Sequence, residues 1–130
     1  MSAAALRSRY AFGLAGPADD AALRSILRRS AMGQDIRVSF EREPDYFKAV
    51  SLQGDFVQVP VVRDAATGKA LGMGARAVGR GFLNGEAAPV GYLGDLRLEQ
   101  AYRGGTLLAR GYRYLRELHG DGKTALYTTL

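Results

Sequence analysis

The chain has 130 residues, of which 47% are apolar and 24% charged, an ordinary balance for one globular domain that buries about two-thirds of its unfolded surface. It contains no cysteine, which excludes disulfides and thiolate metal sites, and no apolar run approaches the roughly 20 residues that a membrane span needs. The formal net charge of +5 comes almost entirely from arginine, and because the arginines are scattered among acids, charge alone identifies no anionic partner and argues against nucleic acid.

Residues 9–15 read as a short first strand. With Arg7 and Arg9 ahead of an apolar stretch from Tyr10 to Ala15, the same region faintly resembles a signal peptide, but Gly13 interrupts it and Gly16-Pro17 ends it. Gly16-Pro17-Ala18-Asp19-Asp20 carries helix-start signals: proline suits the first turn and acids complement the dipole there. Leu23, Ile26 and Leu27 recur on one helical face, Arg28 and Arg29 fall in the last turn, and Gly33 is expected to cap the end. Pro44 followed by Asp45, Tyr46, Phe47, Lys48 and Val50 predicts a second short helix, its two aromatics serving either as core or as the wall of a pocket.

From Asp55 the period changes to two. Phe56, Val57, Val59, Val61 and Val62 make a strand in which Pro60 argues for an edge or a bulge. After a turn over residues 64–69, residues 71–83 form a glycine-rich strand, Asn84-Gly85 begins a hairpin turn and residues 90–98 return. Residues 55–98 therefore read as an antiparallel three-strand meander. Beyond Gly104, an amphipathic helix carries Leu108, Tyr112, Leu115 and His119 on one stripe and Arg110, Arg113 and Arg116 on the polar side, and Gly120 closes it. Residues 124–130 alternate as a last strand. A strand–helix–strand crossover implies that this strand lies parallel to residues 90–98.

Few chemical motifs survive their context. Gly72-Met73-Gly74-Ala75-Arg76-Ala77 has the letters of a dinucleotide fingerprint but sits inside a hairpin strand, where no helix follows. His119 is the one histidine, placed at a helix C-terminus where it complements the dipole. With no second histidine and no cysteine, zinc hydrolysis and Ser-His or Cys-His catalysis lack material. Asp95 and Glu99 read either as a carboxylate pair or as solvated charges. The junction Tyr102-Arg103-Gly104-Gly105-Thr106 is different. Small residues admit a ligand to the main chain, and a helix N-terminus concentrates unpaired N–H groups and positive dipole. Such a junction suits a phosphate or pyrophosphate.

Here the chain resembles the GNAT superfamily of acyl-CoA-dependent N-acyltransferases. The resemblance covers about residues 11–130 and is strongest from Tyr92-Leu93-Gly94-Asp95-Leu96-Arg97-Leu98 through Glu99-Gln100-Ala101-Tyr102-Arg103-Gly104-Gly105. Against the family pattern R/Q-x-x-G-x-G/A, Arg103 fits the first position and Gly104 and Gly105 fall within the loop. Thr106 and Leu108 stand where the pattern prefers glycine or alanine. The resemblance implies an α/β fold with a mixed α+β sheet in a single domain over residues 1–130: an antiparallel meander followed by a β-α-β crossover, ending before the family's C-terminal helix and last two strands. It also implies acetyl-CoA as co-substrate and no metal. Main-chain amides of Arg103, Gly104, Gly105, Thr106 and Leu107 would hold its pyrophosphate, and Leu96, Arg97 and Leu98 would pair through their backbone with the pantetheine arm.

The implied reaction is direct attack of a primary amine on the thioester. It needs a base or water chain for the ammonium proton and a strand amide to polarise the carbonyl. Asp95 and Tyr92 are the catalytic candidates on that strand. The partner implied is a small-molecule or peptide amine in the cytoplasm, with no membrane; a homodimer is compatible, since the last strand would have an open flank. Two alternatives stand beside this reading. One is a catalytically incomplete GNAT-like module that binds CoA or serves in assembly, and the other is a small basic nucleic-acid-binding domain, which the scattered arginines weigh against.

Overall fold

The computed structural model describes residues 9–129; Arg7 of the leader-like stretch and Leu130 of the last strand lie outside the described residues. Six strands form one mixed sheet, and helices cover both of its faces. The strands are β1 (Tyr10–Leu14), β2 (Phe56–Gln58), β3 (Pro60–Asp64), β4 (Ala70–Leu83), β5 (Glu86–Leu98) and β6 (Tyr127–Thr129). Their order is β1-β3-β4-β5-β6, with β2 also paired to β4. The helices are α1 (Asp20–Arg29), α2 (Tyr46–Val50) and α3 (Leu107–His119).

The meander forms as its alternation requires. The turn between β4 and β5 has Asn84 and Gly85 both left-handed, at φ 53 and 81, the pair of positive angles that a tight hairpin of right-twisted strands needs. Pro60 behaves differently from the edge or bulge expected of it. Gln58 faces Arg76 and Val61 faces Met73 in one continuous register, so β2 and β3 are halves of a single strand. The break falls at Val59-Pro60 because proline has no N–H to give the ladder. The strand is interior, since β1 pairs antiparallel with β3 on its other side.

Helix α1 ends one turn before the glycine expected to cap it. Ser30 leaves helical geometry at φ −104, ψ 42, and its N–H closes on Leu27 O at 3.3 Å. Gly33 instead turns the chain between Met32 and Val38, whose backbones bond each other at 2.8 and 2.7 Å. Its φ is +106, and a Cβ there would run into Ile36 O. Helix α2 starts where Asp45 accepts the Lys48 N–H at 2.9 Å, satisfying one orphan donor of the first turn. The last strand begins at Tyr127 rather than at 124. Thr124 turns inward, its single hydroxyl proton shared between Leu126 O at 2.9 Å and Pro89 O at 3.2 Å, which takes it off the ladder. From Tyr127 the strand runs parallel to β5, with Gly91 opposite Tyr127 and Leu93 opposite Thr129.

The apolar faces read from the sequence are the ones that pack. On one side of the sheet, Leu23, Ile26 and Leu27 of α1 and Tyr46 and Val50 of α2 lie on Val59, Val61, Met73 and Ala75. On the other, Leu107 of α3 packs with Val62 and Leu71, flanked by Phe12, Leu98 and Tyr102. Tyr46 is therefore core. Leu23 has no exposed surface, so Leu23→Ala should destabilise the fold by about 2–5 kcal/mol in urea unfolding. A loss below about 1 kcal/mol would mean that α1 does not seal this face. No helix among the described residues is long and apolar enough to cross a membrane.

Candidate functional site

The junction after β5 has the geometry of an anion cradle. A single 3-10 turn, Gln100–Tyr102, leads into an extended Arg103, a left-handed Gly104 at φ +82, and then Gly105, Thr106 and α3. Two amides are used to build the turn: Tyr102 N–H donates to Glu99 O at 2.9 Å and Arg103 N–H to Gln100 O at 3.2 Å. Beyond them the pattern stops. No side chain caps α3, and no partner among the described residues takes the amides of Gly104, Gly105, Thr106 and Leu107. A Cβ built on Gly104 or Gly105 would meet nothing within 4 Å. The two glycines thus border open space. Unpaired amides at the positive end of a 13-residue helix are what a phosphate recognises.

An apolar cleft leads away from this cradle along β5. Leu96 and Leu98 form its floor with Gly72 and Gly74, and Leu108, Gly111 and Tyr112 of α3 its wall. Leu96, Leu108 and Tyr112 are about half exposed, so an extended apolar or amide-bearing arm would find surface to cover there. On the β6 side, β5 has no register partner beyond Leu93 among the described residues. That leaves a backbone edge beside Leu96, Arg97 and Leu98. The Arg97 side chain takes the opposite direction. Arg97 pairs with Met73, on the face covered by α1 and α2, and its Nε is buried without a partner. Arg103 folds back, its Nε donating to Leu98 O at 2.9 Å.

Between cleft and hairpin, β5 carries a bulge. Arg97 faces Met73 and Gly94 faces Ala75, three steps on β5 against two on β4, so one residue is extra at Asp95-Leu96. Asp95 is left-handed, at φ 52, a conformation that Asp and Asn adopt more readily than other side chains. Its carboxylate turns to the α1/α2 face. Arg42 Nε donates to Oδ2 at 2.7 Å, Arg42 Nη2 to Oδ1 at 3.3 Å, and the Tyr46 hydroxyl to Oδ2 at 3.0 Å. The two charged side chains are only 8% and 3% exposed. Burial, then the neighbouring Asp95 charge, push the Tyr46 hydroxyl well above its usual range, so it stays protonated and donating.

Tyr92 stands on the same face, opposite Ala77. Its ring lies across Gly94, where a Cβ would come within 2.7 Å of the Tyr92 hydroxyl oxygen. The structure therefore sets Tyr92 and Asp95 on one face of β5 beside the bulge, and the cradle residues follow just past the end of that strand. Glu99 belongs to neither, since it accepts from Arg29 Nη2 at 2.6 Å and ties the end of α1 to the end of β5. Sequence reasoning missed Arg42. Its 53-residue separation from Asp95 carries no local signal.

A second polar cluster ties α3 to β6. Arg76 is fully buried. It donates to the Tyr127 hydroxyl at 2.9 Å, to Gln58 Oε1 at 2.8 Å and to both Asp121 oxygens at 2.8 and 2.9 Å. His119 Nδ1 lies 2.9 Å from the same hydroxyl, so the lone histidine closes the helix onto the last strand. Hydrogen bonds from Arg76, then from the Lys123 amide, hold the Asp121 carboxyl down at about 2. A depressed carboxyl stabilises the fold above its unfolded value, near 3.9, and that contribution is lost as pH falls through the folded value. Melting curves between pH 5 and pH 2 should therefore fall more steeply for the wild type than for Asp121→Asn. Parallel curves would show that Arg76 does not hold Asp121 in solution.

No protein-family model matches the chain, and no curated protein matches it in sequence. Solved structures do match. An acetyltransferase from Trypanosoma brucei superposes with a TM-score of 0.66 at 14% identity, over 93% of this chain and 82% of the other. Glucosamine-6-phosphate N-acetyltransferase from Arabidopsis thaliana gives 0.67 at 13%, over 93% and 81%. An acetyltransferase from Clostridium acetobutylicum, solved with acetyl-CoA, gives 0.68 at 14%, over 93% and 80%. At this identity the likeness concerns architecture. The mixed sheet, with two helices on one face and the crossover helix on the other, is that of the acetyltransferases. This chain has the GNAT fold.

Proposed function

We propose that the chain is an N-acetyltransferase that moves an acetyl group from acetyl-CoA to a primary amine by direct attack on the thioester. The observation that carries this reading is the glycine turn at 104–105, which opens onto the uncapped start of α3 at the head of the apolar cleft. The free amides from Gly104 to Leu107 suit a pyrophosphate. The backbone edge at Leu96, Arg97 and Leu98, with its leucine floor, suits a pantetheine arm, so the residues present fit the co-substrate. Acetyl-CoA, when bound, supplies an activated acetyl carbon: a C–N bond forms, the C–S bond breaks, and the amine gives up a proton as the thiolate leaves.

In this reading the backbone at the bulge polarises the carbonyl. Tyr92, whose ring lies across Gly94 beside the bulge, is the side chain assigned to relay the amine's proton with water. Asp95 is engaged by Arg42 and Tyr46, and its role is to hold the bulge. The acceptor is a small-molecule or peptide amine, met in the cytoplasm where acetyl-CoA is made available. The same engagement of Asp95 favours one other reading, a GNAT-like module that binds CoA without turning it over.

Calorimetric titration with acetyl-CoA, followed by thiol release over a panel of small amines and peptides, tests both. Binding with release for at least one amine is the expected result. Binding without release leaves the module, and no heat with acetyl-CoA or CoA sinks both readings.

A further inference from the structure

We propose that Arg42 is a positioning residue for acetyl transfer, acting through Asp95 on the bulge of β5; this rests on the acetyltransferase reading above. An extra residue in one strand re-aims the backbone locally, and a non-glycine residue at φ 52 persists only where its surroundings over-determine it. Here the surroundings are two side chains from another part of the chain. Arg42 holds both carboxylate oxygens of Asp95, and Tyr46 holds one of them from the side. Desolvating an ion pair offsets most of what its attraction gains, and a well-packed apolar pair of similar volume serves stability as well or better. What the charged pair adds at this place is a fixed direction for the backbone on either side of Asp95.

The other end of the clamp matters too. Arg42 belongs to the irregular segment between α1 and α2, which displays Met32, Ile36, Val38 and Phe40 to solvent. The Phe40 ring stacks 5.0 Å from the Arg42 guanidinium, and Glu43 next to it pairs with Arg24 and Arg28 of α1. The segment is thus seated on α1 and on the bulge together. Loss of the clamp frees the bulge to slip while the cradle, which lies past Leu98 in the turn and the start of α3, keeps its own hydrogen bonds. The consequence is larger for catalysis than for co-substrate affinity, because a displacement of about 1 Å at the reacting centre is enough to cost about 100-fold, whereas the cradle amides keep their hold on the ligand.

The test is the double variant Arg42→Met/Asp95→Asn. It removes both charges and so leaves no lone buried ion, and Asn still accepts the left-handed conformation and the Tyr46 hydroxyl. Affinity for acetyl-CoA should fall by less than about 10-fold, the part owed to the loosened edge at residues 96–98, while kcat falls roughly 100-fold with the shape of its pH profile kept. Backbone hydrogen exchange should quicken by about 10-fold or more at residues 95–97 and stay unchanged in α3. A kcat within about 3-fold of wild type overturns the proposal, as does unchanged exchange at the bulge. Loss of the acidic limb of the profile also overturns it, by making Asp95 the base. The exchange measurement needs no turnover, so a clamp that fails there is separable from a chain that transfers nothing.

Discussion

Gly105→Glu is expected to weaken acetyl-CoA binding by at least about 100-fold, since facing like charges costs several kcal/mol and each 1.4 kcal/mol is tenfold. The variant is chosen because its effect on the fold should have the opposite sign. Nothing lies within 4 Å of a Cβ at Gly105, and its backbone is not in the left-handed region. A carboxylate just ahead of α3 complements the helix dipole, worth about 0.3–1 kcal/mol in the protein's favour. Stability should hold or rise while affinity collapses, a combination that misfolding cannot produce. Gly104 offers no such clarity. At φ +82 any side chain there carries about 1–2 kcal/mol of backbone strain, which confuses loss of ligand with loss of structure. Isothermal titration beside a thermal melt decides the matter: unchanged affinity for Gly105→Glu would move the phosphate site away from this junction.

The shape of the junction at 102–107 could be read from the sequence because everything it needs is local. Glycine at 104 supplies a left-handed angle, glycine at 105 supplies room, and the helix stripe from Leu107 onward announces where unpaired amides begin. Asn84-Gly85 was legible for the same reason, as were the α1 face of Leu23, Ile26 and Leu27 and the parallel return after α3. Legibility failed where a distant contact decides the local outcome. Ser30 and not Gly33 ends α1, because the chain must reach the backbone pairing between Met32 and Val38. Pro60 lies in an interior strand because β1, some fifty residues earlier, pairs along its other side. Thr124 leaves the last strand because Pro89, on the neighbouring β5, offers its hydroxyl a carbonyl. The bulge is the clearest case. Asp95 tolerates the left-handed region better than most residues, but nothing in its neighbours marks a bulge, and Arg42, which holds it so, sits in a stretch without periodicity.

That dependence makes Arg42→Met the substitution with the largest expected effect on stability, about 3–5 kcal/mol, because it leaves the Asp95 carboxylate buried without its cation. Both side chains are almost wholly inside, at 8% and 3% exposure, so water does not replace the lost partner. Tyr46 still donates at 3.0 Å, but one neutral hydrogen bond, worth about 0.5–1.5 kcal/mol net, does not offset a desolvated charge. Asp95→Asn alone should be costly for the mirror reason, with the guanidinium stranded. The two changes together should recover most of the loss, since a neutral pair needs neither the attraction nor the solvation. A double-mutant cycle by urea unfolding should therefore give a coupling of several kcal/mol, far above the 0.5 kcal/mol or so within which independent sites add. If Arg42→Met costs less than about 1 kcal/mol, the pair behaves as a solvated surface contact. The bulge would then be fixed by the ladder alone, and Arg42 would have no hold on the geometry of transfer.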